Sequence, residues 1–80
     1  KGMANHYRIE ILLAVADQEP ITLDGIIQSV KANEKTIGEH TWRLERAGLI
    51  TKKYRGRYVE HKLSPYGKTF VSFIKAFQEL

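Results

Sequence analysis

No cysteine occurs among the 80 residues. That excludes a disulfide framework, a thiolate metal site and a cysteine nucleophile, and it fits a reducing cytosol. No apolar run approaches the roughly 20 residues that a bilayer-spanning helix needs. No signal-peptide pattern is present either, so no membrane partner is expected. Proline is confined to Pro20 and Pro65, and there are no repeats, low-complexity tracts or internal linkers. Catalytic constellations are also missing. The acidic pairs Asp17/Glu19 and Glu34/Glu39 join no nucleophile or phosphate loop, and Ser29, Ser64 and Ser72 lie outside any nucleophile-elbow context. His6, His40 and His61 have no cluster of partners at coordination spacing. They read as structural histidines, with no metal and no cofactor, and the chain reads as a non-enzyme. The opening Lys1-Gly2-Met3 reads as a remnant before a native start or as the cut end of a longer chain.

The positive charge is unevenly spread. The formal net charge is +4, yet residues 31–57 hold eight bases against three acids, a net of +5. The remainder holds five bases against six acids, a net of −1. An even spread would mark a generally basic protein; a concentrated excess marks a surface for a polyanion.

Periodicity orders the chain into elements. Ile9, Leu12, Leu13 and Ala16 recur on one face of a first helix from about Asn5 to Ala16, widened by Ile11 and Val15. Asp17-Gln18-Glu19-Pro20 ends it, because the residue before proline is pushed out of the helical region. Thr22 can cap a second helix whose core stripe is Leu23, Ile26, Ile27 and Val30. Gly25, inside that helix, calls for close packing against a neighbour. Lys31-Ala32-Asn33 is a short turn, with Asn33 the cap of a third helix from about Glu34 to Ala47 that Gly48 stops. Leu49 to Tyr54 and Arg57 to Leu63 read as strands joined at Arg55-Gly56. Ser64-Pro65 starts a fourth helix that runs to the C-terminus. The expected fold is mainly α with a small β-hairpin, a winged helix-turn-helix of order α-α-α-β-β-α, with residues 1–80 one DNA-binding domain.

On a helical wheel Ile37, Thr41 and Leu44 fall together and should face the core. Lys35, Glu39, Trp42, Arg43 and Arg46 fall opposite, flanked by Thr36 and Gly38. Such a face can reach base edges in a major groove, with Gly38 allowing close approach of the backbone. The competing reading is a solvated ladder in which Glu39 organises Lys35 and Arg43 at i±4 spacing. Trp42 either stacks on sugar or base or shields the hairpin. Lys52, Lys53, Arg55 and Arg57, punctuated by Tyr54 and Tyr58, make a hairpin too charged to pack inward. It suits phosphate contact or a tip arginine in a narrow minor groove, and edge-strand protection is the plainer alternative.

Thr36-Ile37-Gly38-Glu39-His40-Thr41-Trp42-Arg43-Leu44-Glu45-Arg46-Ala47-Gly48-Leu49-Ile50 resembles the recognition-helix signature of MarR/ArsR/HxlR-type winged-helix regulators, T-V-S-x-x-L-x-x-L-x-x-x-G-L-I/V. Val59-Glu60-His61-Lys62-Leu63-Ser64-Pro65-Tyr66-Gly67-Lys68 is similar to their closing strand and helix start. Thr41 departs from the usual leucine, Glu39 and Trp42 from the usual polar or basic residues, and the wing is shorter than in many relatives. The resemblance implies a transcription regulator in a prokaryotic cytoplasm, located at the nucleoid when DNA-bound. It implies double-stranded DNA contacts from Asn33, Lys35, Thr36, Glu39, Arg43 and the wing, and a homodimer through helix 1 and helix 4. Two further functions stay open: a winged-helix protein-interaction module without DNA binding, and RNA binding with Tyr54 and Tyr58 stacked on unpaired bases.

Overall fold

Local signals place most of the elements. The computed structural model describes residues 2–80, with side chains from His6 onward. The order is α1 (Gly2–Gln18), β1 (Ile21–Thr22), α2 (Leu23–Val30), α3 (Glu34–Arg46), β2 (Ile50–Arg55), β3 (Tyr58–Leu63) and α4 (Pro65–Gln78). Three caps form as expected. Thr22 Oγ1 accepts from Gly25 N at 3.1 Å, Asn33 Oδ1 from Thr36 N at 2.8 Å and Ser64 Oγ from Gly67 N at 2.9 Å. At the end of α3, Gly48 at φ +80° donates to Glu45 O and Leu49 N donates to Leu44 O, the paired bonds of a Schellman stop.

Two expectations about the first helix need correction. It runs on to Gln18, because proline restrains only its immediate predecessor, Glu19. Its buried centre is Ile11, Leu12 and Val15, while Ile9, Leu13 and Ala16 are half-buried. The apolar arc is wide enough for several residues to centre it, and the packing of α2, α3 and β3 on α1 selects those three.

The hairpin is part of a three-stranded antiparallel sheet of order β1-β3-β2. The unexpected strand, Ile21–Thr22, pairs with His61 and Glu60. Two residues are too few for any period, and the partner lies 40 residues away. Beyond the end of this short strand Glu19 takes over, its Oε1 accepting from Leu63 N at 2.9 Å. His61, 1% exposed, donates from Nδ1 to the Ile21 carbonyl at 3.0 Å, binding the first strand to the third. Gly25 has the expected close neighbour: a Cβ there would stand 2.7 Å from Ile21 Cγ1.

The core lies where the first three helices meet the inner sheet face. It contains Ile11, Leu12, Val15, Ile26, Ile37, Leu44, Ile50, Leu63 and Val71. Thr41 is buried among these and satisfies its hydroxyl on Gly38 O at 3.0 Å. A threonine therefore replaces leucine in this helix without an orphaned polar group.

Lys31 closes α2 in the left-handed region at φ +62° and is exposed. A side chain in that conformation costs about 1 kcal/mol that glycine does not. Lys31→Gly is expected to raise stability by about 0.5–1 kcal/mol, read as a higher urea midpoint at unchanged slope.

Burial pushes the pKa of His61 down, outweighing the backbone hydrogen bond to Ile21. His40 moves the same way, through burial and then the Arg8 and Arg43 charges. Both folded values lie below 6.5, so the unfolded chain takes up protons first. The contribution of these two histidines to stability is present above the unfolded value and is lost as pH falls from there toward the folded values. Urea midpoints at pH 7.5 and pH 5.5 should differ in that direction, and His61→Gln should shrink the difference.

Candidate nucleic-acid interface

The buried side of α3 dictates what its other side offers. Ile37, Thr41 and Leu44 are buried, so Lys35, Glu39, Trp42, Arg43 and Arg46 project outward and are all exposed. Thr36 and Gly38 are half-buried at the margins, and apart from the adjoining helix backbone and chain neighbours no atom lies within 4 Å of where a Cβ on Gly38 would stand. Asn33 is exposed at the helix start, with its carbonyl oxygen used as the cap. Its amide nitrogen remains the donor available to a partner.

The ion-pair ladder expected as the plainer reading does not form. Among the described residues no pair within 4.0 Å joins Glu39 to Lys35 or Arg43. An exposed i,i+4 pair contributes only a few tenths of a kcal/mol, too little to hold two long side chains in one geometry. Glu39 is not the organiser of its neighbours. The ordered interaction on this face is Arg46 over Trp42, with the guanidinium 5.0 Å from the ring centroid and Trp42 still 52% exposed. Their i,i+4 spacing makes that pair legible in sequence.

His40 sits at the margin of the buried face and ties α3 to α1. Arg8 Nε donates to its Nδ1 at 3.5 Å, and the Tyr7 ring centroid lies 5.7 Å from its own.

The hairpin tip is one residue later than expected. Arg55 pairs with Tyr58 in the ladder, and the turn is Gly56-Arg57. Gly56 takes φ +59° at the first turn position, where a two-residue hairpin of type II′ places glycine. Arg57 therefore occupies the tip. Arg55 lies in the ladder, its Nε donating to Glu60 Oε1 at 2.9 Å. Lys52 departs further from expectation. Its side chain is only 14% exposed, on the inner sheet face, with Nζ 3.6 Å from Glu45 Oε1. The alternation of β2 turns Lys52 inward beside His61, while Thr51, Lys53 and Arg55 face outward. Of the four wing bases, Lys53 and Arg57 have no ion-pair partner within 4.0 Å among the described residues. Glu45 and Glu60 as restraints on the other two come from sheet register and helix placement, which sequence spacing does not carry.

No group of three or more His, Cys, Asp or Glu among the described residues could hold a metal ion. No helix among them is long and apolar enough to cross a membrane. The outward side of α4 is aromatic: Tyr66, Phe70, Phe73 and Phe77 recur at intervals of four, three and four and are exposed. Phe73 and Phe77 stack with centroids 6.4 Å apart.

Four helices and a three-stranded sheet, two strands of which form a basic wing beside the exposed third helix, define a winged helix-turn-helix. No protein-family model matches the chain, and no curated protein matches it. Solved structures match its fold. BpsR of Bordetella bronchiseptica, whose DNA binding is regulated by 6-hydroxynicotinic acid, aligns at TM-score 0.84 and 25% identity over 91% of this chain and 53% of its own. FabT of Streptococcus pneumoniae, solved in complex with DNA, aligns at TM-score 0.85 and 17% identity over 90% of this chain and 52% of its own. AF1382 from Archaeoglobus fulgidus aligns at TM-score 0.86 and 17% identity over 92% of this chain and 86% of its own. The chain spans about half the length of BpsR and FabT. Its fold is that of the MarR-like winged-helix regulators.

Proposed function

We propose that this chain is a non-enzymatic, DNA-binding transcription regulator. Residues 34–47 enter the major groove, and residues 52–58 lie on the backbone or in the adjacent minor groove. The observation that carries this reading is the placement of the unpaired cations. Lys35 and Arg43 on α3, with Lys53 and Arg57 on the wing, are exposed and without acidic partners among the described residues. Counterion release from the duplex then drives association. Asn33, Lys35, Thr36, Glu39, Trp42 and Arg43 are the helix contacts in this reading. Lys53 and Arg57 grip phosphates, while Lys52 and Arg55, each beside an acid, contribute less. Like BpsR, the protein binds DNA; the compartment is a prokaryotic cytoplasm, at the nucleoid.

The regulator acts as a homodimer on a pseudo-palindromic site through α1 and α4. The aromatic stripe of α4 supports this, since a small domain gains burial by covering it with the same stripe of a second copy. Phe73→Glu is expected to give a monomer by sedimentation velocity while circular dichroism stays unchanged, because the side chain is 67% exposed in the single chain.

The test of DNA binding is fluorescence anisotropy of a labelled random duplex, beginning at ~50 mM salt, where nonspecific binding is strong. Binding at low salt that weakens steeply as salt rises is the expected result. Absence of binding at the lowest salt overturns the proposal and leaves a protein-interaction module. Equal or tighter binding to single-stranded RNA would move the reading to RNA.

A further inference from the structure

Glu39 and Trp42 sit three residues apart at the centre of the exposed face of α3. Neither suits nonspecific phosphate contact. A carboxylate is repelled by the backbone, and an indole offers phosphate a single N–H donor. Glu39 is exposed, and among the described residues no cation lies within 4.0 Å of it, despite Lys35 and Arg43 at four residues on either side. Its oxygens are available as acceptors. Trp42 has its orientation restrained by the Arg46 guanidinium 5.0 Å from its ring centre. Helical side chains lean toward the N-terminus, and four residues back lies Gly38, which has open space where a side chain would stand. The indole therefore has room over the helix surface without a competing side chain.

Major-groove base edges differ in what they offer such a pair. Cytosine presents an amino donor, thymine presents a methyl group, adenine sets its amino donor beside an N7 acceptor that repels a carboxylate, and guanine presents only acceptors. A carboxylate can use the first and an aromatic ring the second. Side chains at i and i+3 stand about 5–6 Å apart at Cβ, close enough to address neighbouring base pairs.

We propose that Glu39 and Trp42 are a pyrimidine-reading pair. Glu39 accepts from the N4 amino group of a cytosine, and the Trp42 ring packs on the C5-methyl of a neighbouring thymine. The two residues set sequence preference, while Lys35, Arg43, Lys53 and Arg57 supply affinity. This assignment rests on the DNA-binding reading of α3, and its test separates the two.

The experiment selects bound duplexes from a random pool with the intact chain, then measures the selected duplex by anisotropy. Glu39→Gln and Trp42→Ala are carried alongside, with circular dichroism to check folding. Both side chains are exposed, so neither change removes core packing. The selected sequences should share a cytosine beside a thymine. Replacing that thymine by uracil deletes only the methyl group and should weaken wild-type binding about fourfold, the value of one buried methyl-sized group. The same replacement should leave Trp42→Ala unaffected. Glutamine both donates and accepts and suits adenine, so selection with Glu39→Gln should exchange the cytosine for adenine. If uracil costs the wild type nothing, or if Glu39→Gln selects the same sequence, the pair is overturned while DNA binding stands. If the wild type binds no duplex even at ~50 mM salt, the DNA-binding reading fails and the pair fails with it.

Discussion

Gly67→Ala is expected to destabilise the protein by about 3 kcal/mol or more, a large share of the stability of so small a domain. Gly67 lies in the first turn of α4 and is buried. A Cβ there would press into the Leu49 carbonyl oxygen, well inside van der Waals contact, and stand 3.3 Å from Ser64 Oγ. None of these atoms can yield easily. Leu49 O accepts from Ser64 N at 3.0 Å, and Ser64 Oγ donates to Gly48 O at 2.6 Å while capping α4 through Gly67 N at 2.9 Å. The added methyl would wedge α4 away from the α3–β2 loop and break this junction. Gly38→Ala is the control. Open space surrounds that position, so alanine should stabilise α3 by up to about 1 kcal/mol through helix propensity alone. Urea unfolding of the two variants should shift in opposite directions. Equal small shifts would mean that α4 is not held against the loop as described.

The second large effect concerns salt and the wing. With Lys35, Arg43, Lys53 and Arg57 as roughly four phosphate contacts, affinity for duplex DNA should fall about 100-fold between ~50 and ~200 mM salt. Removing one contact should lower the slope of log affinity against log salt by about one. Arg57→Ala is expected to do this, because Arg57 occupies the hairpin tip and is unpaired among the described residues. Arg55→Ala should change the slope less, because Arg55 is already bonded to Glu60 at 2.9 Å and neutralises a carboxylate as much as it offers a charge. Losing Arg55 also exposes Glu60 to the duplex, so affinity falls while the slope moves little. The reverse order of the two variants would place Arg55 on the phosphates and the tip arginine off them.

These effects differ in how far they were legible from residues alone. The third helix was readable almost entirely: an Asn33 cap, a Gly48 stop and a buried line of Ile37, Thr41 and Leu44 follow from signals within fifteen residues. Its opposite face followed by geometry, and the expected exposed residues are exposed. The wing was legible as a basic hairpin but not in its detail. Shifting the turn from Arg55-Gly56 to Gly56-Arg57 moves one arginine into the ladder and the other to the tip. In a strand each step reverses the side chain, which is why Lys52 points inward beside Glu45 although its neighbour Lys53 points out.

Sequence by itself determined the helices, their caps, the hairpin and the concentration of charge, because each depends on contacts within a turn or two of chain. Tertiary structure decided the rest. It recruited Ile21–Thr22 as a strand on a partner 40 residues away, chose Ile11, Leu12 and Val15 as the centre of a wide apolar arc, and set Gly67 against Leu49. It also sorted the wing cations into those paired with Glu45 or Glu60 and those left without a partner. The physical reason is common to all four. Each depends on which groups meet across the fold, and periodicity carries the direction of a side chain but not what stands opposite it.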